Sequence, residues 1–91
     1  MSATVRIPQP LRKLTRNRSE VEVSARNVAE ALNRLELEYP GLRDRICDQS
    51  GEVRRFINIF VDGEDIRFLQ GLETPVGEGS ELSIIPAIAG G

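Results

Sequence analysis

Ninety-one residues are enough for one domain with a single modest core and too few for a second. A chain that is 40% hydrophobic and 29% charged is of ordinary globular composition, no apolar run approaches the roughly 18 residues of a membrane span, and 12 basic against 14 acidic side chains give no general electrostatic grip on nucleic acid. The complete lack of histidine removes the usual general base and the commonest metal ligand together.

The opening residues, MSATVRIPQPL, contain no long apolar segment of the secretory type, and the single cysteine, Cys47, cannot form an intrachain disulfide. Both predict a reducing, cytoplasmic setting. Residues 4–7 alternate with Val5 and Ile7 apolar, and residues 20–23 repeat the alternation with Val21 and Val23, so two half-buried strands are expected. Between them, Pro8, Pro10 and Asn17 fit a long hairpin connection better than a tight turn. Arg6, Arg12, Lys13, Arg16 and Arg18 all precede the first acidic residue. They lack the interleaved aromatic side chains that single-stranded nucleic acid stacks on, so this stretch reads as a solvated loop or a surface for a protein partner.

Asn27 followed by Glu30 resembles a capping box with asparagine in place of the usual hydroxyl residue, which starts a helix. Val28, Ala31, Leu32, Leu35 and Tyr39 then recur at three- and four-residue steps as one apolar stripe, and Pro40-Gly41 ends it. That spacing makes a core-facing helix. Residues 42–46 fit a further helical turn, and the polar residues 48–55 a loop. Cys47, with no histidine anywhere to depress its pKa, is read as a small buried hydrophobe and not as a nucleophile.

Residues 56–61 form the strongest strand signal, with Ile57, Ile59 and Val61 on one face and Phe56, Asn58 and Phe60 on the other, followed by an Asp62-Gly63 turn. Residues 66–69 are expected as a short strand, 71–79 as turns, and 81–85 as a last strand with Leu82 and Ile84 inward and Ile85 outward. Positions 62–81 also hold six acidic residues, Asp62, Glu64, Asp65, Glu73, Glu78 and Glu81, against Arg67 alone. That segment either steers association toward a basic rim on a partner or is plain solvated surface.

This order of elements specifies an α+β protein with one main helix on one face of a mixed sheet of four to five strands. The ubiquitin-like β-grasp is its compact solution, with strands before and after the helix parallel in one sheet. We expect a single β-grasp domain over residues 1–86 and a flexible C-terminal tail over residues 87–91 that ends in Gly-Gly.

Two final glycines arise by chance in roughly 0.5% of chains at average usage, so the ending calls for a reason beyond a frayed terminus. Pro86 has no N–H for a ladder and tends to close the last strand. Gly90 and Gly91 lack β-carbons, so their backbone can thread a channel too narrow for other residues. The reactive group of such an ending is the α-carboxylate of Gly91, a poor electrophile until ATP converts it to an acyl-adenylate. That activation requires another protein.

The closing stretch GLETPVGEGSELSIIPAIAGG, together with VAEALNRLELEYPGL in the helix region, resembles the ubiquitin-like sulfur carrier family (MoaD/ThiS-like), which includes the molybdopterin-synthase small subunit and the thiazole-biosynthesis carrier. RRFINIFVDGEDIRF with PAIAGG resembles more narrowly the carriers that serve a thiocarboxylate-dependent cysteine synthase. The resemblance implies a protein cosubstrate and not an enzyme. An E1-like adenylyltransferase/sulfurtransferase would adenylate Gly91 and exchange the adenylate for sulfur, giving a C-terminal thiocarboxylate. A pyridoxal-phosphate cysteine synthase would then accept the sulfur, with a metalloprotease to release the product. The alternative acceptor is the large subunit of molybdopterin synthase. ATP, pyridoxal phosphate and zinc would belong to those partners and no cofactor or metal to this chain.

Carried onto these residues, the reactive position is Gly91, and Gly90, Ala89, Ile88, Ala87 and Pro86 form the threading segment. The outward pattern adds Phe56, Phe60 and Ile85 as an apolar docking patch, unless the loop of residues 64–80 covers them. Two rival readings use the same fold: a ubiquitin-like modifier joined to lysines through Gly91, and a β-grasp interaction module with an incidental tail.

Overall fold

Val5 and Val21 face one another across the first hairpin, in which β1 (Ser2–Arg6) and β2 (Glu20–Ser24) run antiparallel in the register that puts their apolar residues on one side. The computed structural model describes residues 2–86, and the structural statements below refer to those residues. The long connection is more ordered than a plain loop. Residues Gln9–Leu14 form a 3-10 turn that buries Leu11, Ile7 N donates to Ser19 O at 2.8 Å, and the buried Thr15 hydroxyl donates to Arg18 O at 2.9 Å.

Helix α1 (Val28–Glu38) begins as its cap residue dictates: Glu30 N donates to Asn27 Oδ1 at 2.8 Å. The reciprocal half of the box is shifted by one residue, because the Glu30 carboxylate accepts from Arg26 N at 2.7 Å and not from Asn27 N. Asn27 is instead bridged to Pro75, with Val28 N donating to Thr74 O and Val76 N to Arg26 O. Helix α1 ends at Pro40-Gly41, where Gly41 adopts φ 97°, a left-handed conformation that glycine takes without strain. The short α2 (Leu42–Ile46) follows at once.

Strands β3 (Ile57–Val61) and β4 (Glu64–Asp65) are joined by the Asp62-Gly63 turn, with positive φ at both positions (51° and 90°) as a tight two-residue hairpin requires. Asp62 also locks this turn to β5 (Glu81–Pro86): its N–H donates to Glu81 O, and its carboxylate accepts from Glu81 N at 2.9 Å.

The expected strand over residues 66–69 does not form. The ladder stops at the pairs Phe60–Asp65 and Val61–Glu64, and Ile66–Phe68 is a 3-10 turn. The cause is local: Asp65 Oδ1 accepts from Arg67 N at 2.9 Å, an Asx-type turn that diverts the backbone from the sheet and leaves Ile66 buried. A second 3-10 turn, Gly71–Glu73, precedes the segment that bridges to the start of α1.

The five strands form one mixed sheet in the order β2-β1-β5-β3-β4, with β1 and β5 parallel at its centre and the other neighbours antiparallel. Ala3, Val5, Val23, Ile59, Leu82 and Ile84 on one face of the sheet join Val28, Ala31, Leu32 and Leu35 of α1 in a single buried core. This is the expected β-grasp, and it makes the central strand β5 the one that leads into residues 87–91.

Candidate functional site: the root of the C-terminal segment and the open sheet face

The last described residue, Pro86, lies opposite Ile57 at the end of β5. Proline has no N–H to offer, and Ile57 N donates back to Arg54 O at 2.9 Å. Strand β5 is thus held by β1 and β3 as far as Ser83 and by β3 alone from there to Pro86. Ala87, Ile88, Ala89, Gly90 and Gly91, the threading and reactive positions expected from the sequence, lie outside the described residues.

The three apolar docking residues are distributed around this root. Ile85, 46% exposed, is paired with Asn58 and faces away from the core. Phe60 is half-buried on the same face, between its cross-strand neighbours Ser83 and Asp65. Phe56, 55% exposed, precedes β3 in a turn and lines a groove beside α2 with Pro10, Arg54 and Pro86. The loop of residues 64–80 is drawn to the other face through its bonds to the start of α1, and Val76 enters the core. The Arg67 side chain reaches back over the open face, donating to Asn58 Oδ1 at 2.7 Å while forking onto Asp65. The Arg67 guanidinium first, and the Arg67 main-chain N–H second, hold the Asp65 carboxyl below its ordinary range by donating to it.

Pro86 also closes two grooves. One, of about 520 Å³, runs beside β1 and includes Arg6, Arg12, Glu20 and Ile85; the other, of about 300 Å³, runs beside α2 and includes Leu11, Asp44, Arg45, Arg54 and Phe56. Cys47 contributes no chemistry here: it is buried in the core, and burial pushes its thiol pKa up, with Arg43 opposing. No helix of the described residues is long and apolar enough to cross a membrane.

Two exposed residues escaped the sequence reading. Phe68, 85% exposed, and Leu69 stand on the 3-10 turn that replaces the expected strand. Strand alternation puts Phe68 on the side of the buried Ile66. The Asx signal of Asp65 would have turned it outward. Nor does any sequence signal place Arg45 and Arg54 in a groove closed by Pro86, because α2 and the loop before β3 meet the first connection only in the fold.

The sheet, its covering helix and the terminal segment leading from the central strand define a ubiquitin-like protein. Residues 5–91 match the ThiS family, and the chain belongs to that family. The sulfur carrier protein CysO of Mycobacterium tuberculosis is 40% identical over a 93-residue alignment that spans all of both chains. A chain in the crystal structure of the Amycolatopsis orientalis BexX/CysO complex is similar at a TM-score of 0.92 and 39% identity, over 98% of this chain and 99% of that one. The small archaeal modifier protein 3 of Haloferax volcanii is 36% identical over 64 residues, 70% of this chain and 68% of its own length.

Proposed function

We propose that this chain is a sulfur carrier, a protein cosubstrate whose Gly91 carboxylate is converted to a thiocarboxylate that donates sulfur for cysteine synthesis. The observation that carries this reading is the full-length similarity to a CysO carrier, with the family match running through Gly91. The fold agrees with it, since a rigid sheet presents the segment from its central strand.

The chemistry balances without any acid or base from the chain. A carboxylate oxygen of Gly91 attacks the α-phosphorus of ATP and expels pyrophosphate. A reduced sulfur donor then attacks the acyl carbon, AMP leaves, and the C–S bond replaces the C–O bond. An E1-like enzyme performs both steps. The thiocarboxylate sulfur next adds to an electron-poor alkene derived from an activated serine on a pyridoxal-phosphate synthase, which leaves the product joined to the Gly91 acyl group. A metalloprotease hydrolyses that acyl bond with water, freeing the product and returning the Gly91 carboxylate. This chain contributes reach and a narrow backbone: Pro86 through Gly90 place the reacting carbonyl, while Phe56, Phe60 and Ile85 rest on the partner. A buried, unpaired Cys47 suits a reducing cytoplasm.

Mass spectrometry tests the proposal directly. Incubated with ATP, the E1-like enzyme and a sulfur source, the protein gains the mass of one oxygen-to-sulfur exchange at Gly91; an unchanged mass overturns the reading. Deleting Gly90 and Gly91 abolishes the gain while leaving the fold intact. Similarity to a small archaeal modifier favours a second use of the same terminus, transfer to lysines of other proteins. Isopeptide-linked adducts dependent on Gly91 would mark that use. A molybdopterin-synthase large subunit that consumes the thiocarboxylate in place of the cysteine synthase would change the pathway and leave the chemistry of Gly91 as it is.

A further inference from the structure

Three segments far apart in sequence bring arginines to the root of the C-terminal segment: Arg12 from the 3-10 turn Gln9–Leu14, Arg45 from α2, and Arg54 from the loop before β3. Two of them are held in position by the main chain. Arg12 Nε donates to Ile7 O at 3.0 Å, and Arg54 Nε donates to Asp44 O at 3.0 Å. Each bond fixes the guanidinium plane while leaving the terminal nitrogens open, the fork that matches a planar oxyanion.

No ion pair among the described residues involves Arg12, Arg45 or Arg54. The acids in the same grooves do not neutralise them. Glu20 is taken by Arg6 at 3.1 Å, and Asp44 is a single carboxylate beside Arg45 and Arg54. At the opposite end of β5 the charge is acidic and largely satisfied within the chain: Glu81 pairs with Arg6 at 3.4 Å, and Asp62 holds Glu81 N.

We propose that Arg12, Arg45 and Arg54 form a basic collar around the root of the segment that docks on carboxylates at the mouth of the enzyme channel receiving residues 87–91. The collar rests on the carrier reading above and adds the partner's charge to it. Its occupant is a protein rim and not a nucleotide phosphate, by distance. Gly91 is the fifth residue after Pro86, about 17 Å away along an extended chain, so a nucleotide reacting at Gly91 lies beyond the collar while the channel mouth lies against it. From sequence, the basic stretch that includes Arg12 reads as a solvated loop or a partner surface, and the acidic residues 62–81 as a steering segment or plain solvated surface. The structure places three arginines without an ion pair among the described residues in the grooves that Pro86 closes.

The test is steady-state thiocarboxylation of the full chain by the E1-like enzyme, titrated with carrier and separately with ATP at several salt concentrations. The R12Q/R54Q double variant and, independently, R45E are expected to raise the carrier KM about tenfold, with kcat within about twofold of the starting protein, a flatter salt dependence and an unchanged KM for ATP. Arg34→Gln, on the exposed side of α1, serves as the control and leaves all of these values alone. Should the double variant melt early through loss of its main-chain bonds, R45E decides, because Arg45 makes no side-chain bond among the described residues. Variants that keep the original carrier KM and salt slope overturn the collar, as does a change confined to the KM for ATP. Failure of the unmodified chain to gain sulfur overturns the carrier reading itself and removes the basis of the collar with it.

Discussion

Strands β3 and β5 share one backbone ladder, yet their two faces differ in what each side chain does. Inward, Ile57, Ile59, Val61, Leu82 and Ile84 are buried beneath the helical layer. Outward, Asn58, Phe60, Ser83 and Ile85 are half-buried or exposed, and one ion-paired arginine crosses them. Alternation at period two produces both faces at once. The inner face therefore determines whether the domain folds, and the outer face is free to determine what it meets.

The sharpest way to break this comparison is to truncate one residue on each side of the same strand. Leu82→Ala leaves a cavity at a fully buried site and should cost about 2–5 kcal/mol, a large share of the roughly 5–15 kcal/mol that holds a domain of this kind together. Ile85→Ala should cost about 0.5 kcal/mol or less. Urea denaturation of the two variants measures the difference, and equal losses would mean that the outer face is covered.

Docking is expected to show the opposite order. Phe60→Ala or Ile85→Asp should weaken productive encounter with the activating enzyme by about tenfold if these residues anchor the interface, with the melting transition nearly unchanged. Transfer rates that stay at the starting level would remove Phe60 and Ile85 from the docking surface. Phe56 is a separate case, since it lies beside Arg54 and Pro86 at the end of the sheet. Its truncation should act together with the basic collar.

The inner face was largely legible from sequence because burial is periodic. The stripe from Val28 to Tyr39 needs only helical spacing, and Asp62-Gly63 needs only a turn that tolerates positive φ. The outer face was legible only where a strand dictated it, as at Ile85. The short strand expected over residues 66–69 does not form because an Asx turn at Asp65 overrides the alternation, and Phe68 is exposed as a result. Of the collar, only Arg12 was legible, as part of a basic stretch offered as a partner surface; no local rule places Arg45 and Arg54 across Pro86 from it, and tertiary packing alone does so.

A smaller effect sharpens the account of the helical layer. Asn27→Ala removes the side-chain acceptor for Glu30 N and should destabilise the domain by about 1 kcal/mol. The main-chain bridge to Pro75 does not depend on the Asn27 side chain, so the helix should still begin there. Loss of several kcal/mol would show that the side chain anchors the 74–76 segment as well.

The last and least effect lies at the junction of α1 and α2. Glu36 accepts from Gly41 N at 3.0 Å and from Arg43 N at 2.9 Å, so one carboxylate closes the first helix and opens the second. These two backbone hydrogen bonds, that of Gly41 first, hold its pKa below the ordinary glutamate value of about 4.5. A depressed folded-state pKa means that the unfolded chain takes up the proton first as the solution is acidified. The stabilisation is therefore complete above that ordinary value and disappears as pH falls through the lower folded one. Glu36→Gln should lower the urea midpoint at pH 7 and flatten its decline between pH 5 and pH 3. The exposed Glu38, changed in the same way, should leave that decline as it is. Other carboxylates held by hydrogen bonds, among them Asp48 and Asp65, keep their own share of the acid sensitivity in every variant. The quantity to compare is thus the change in slope, and a slope identical to that of the starting protein would mean that the Glu36 bonds do not persist in solution.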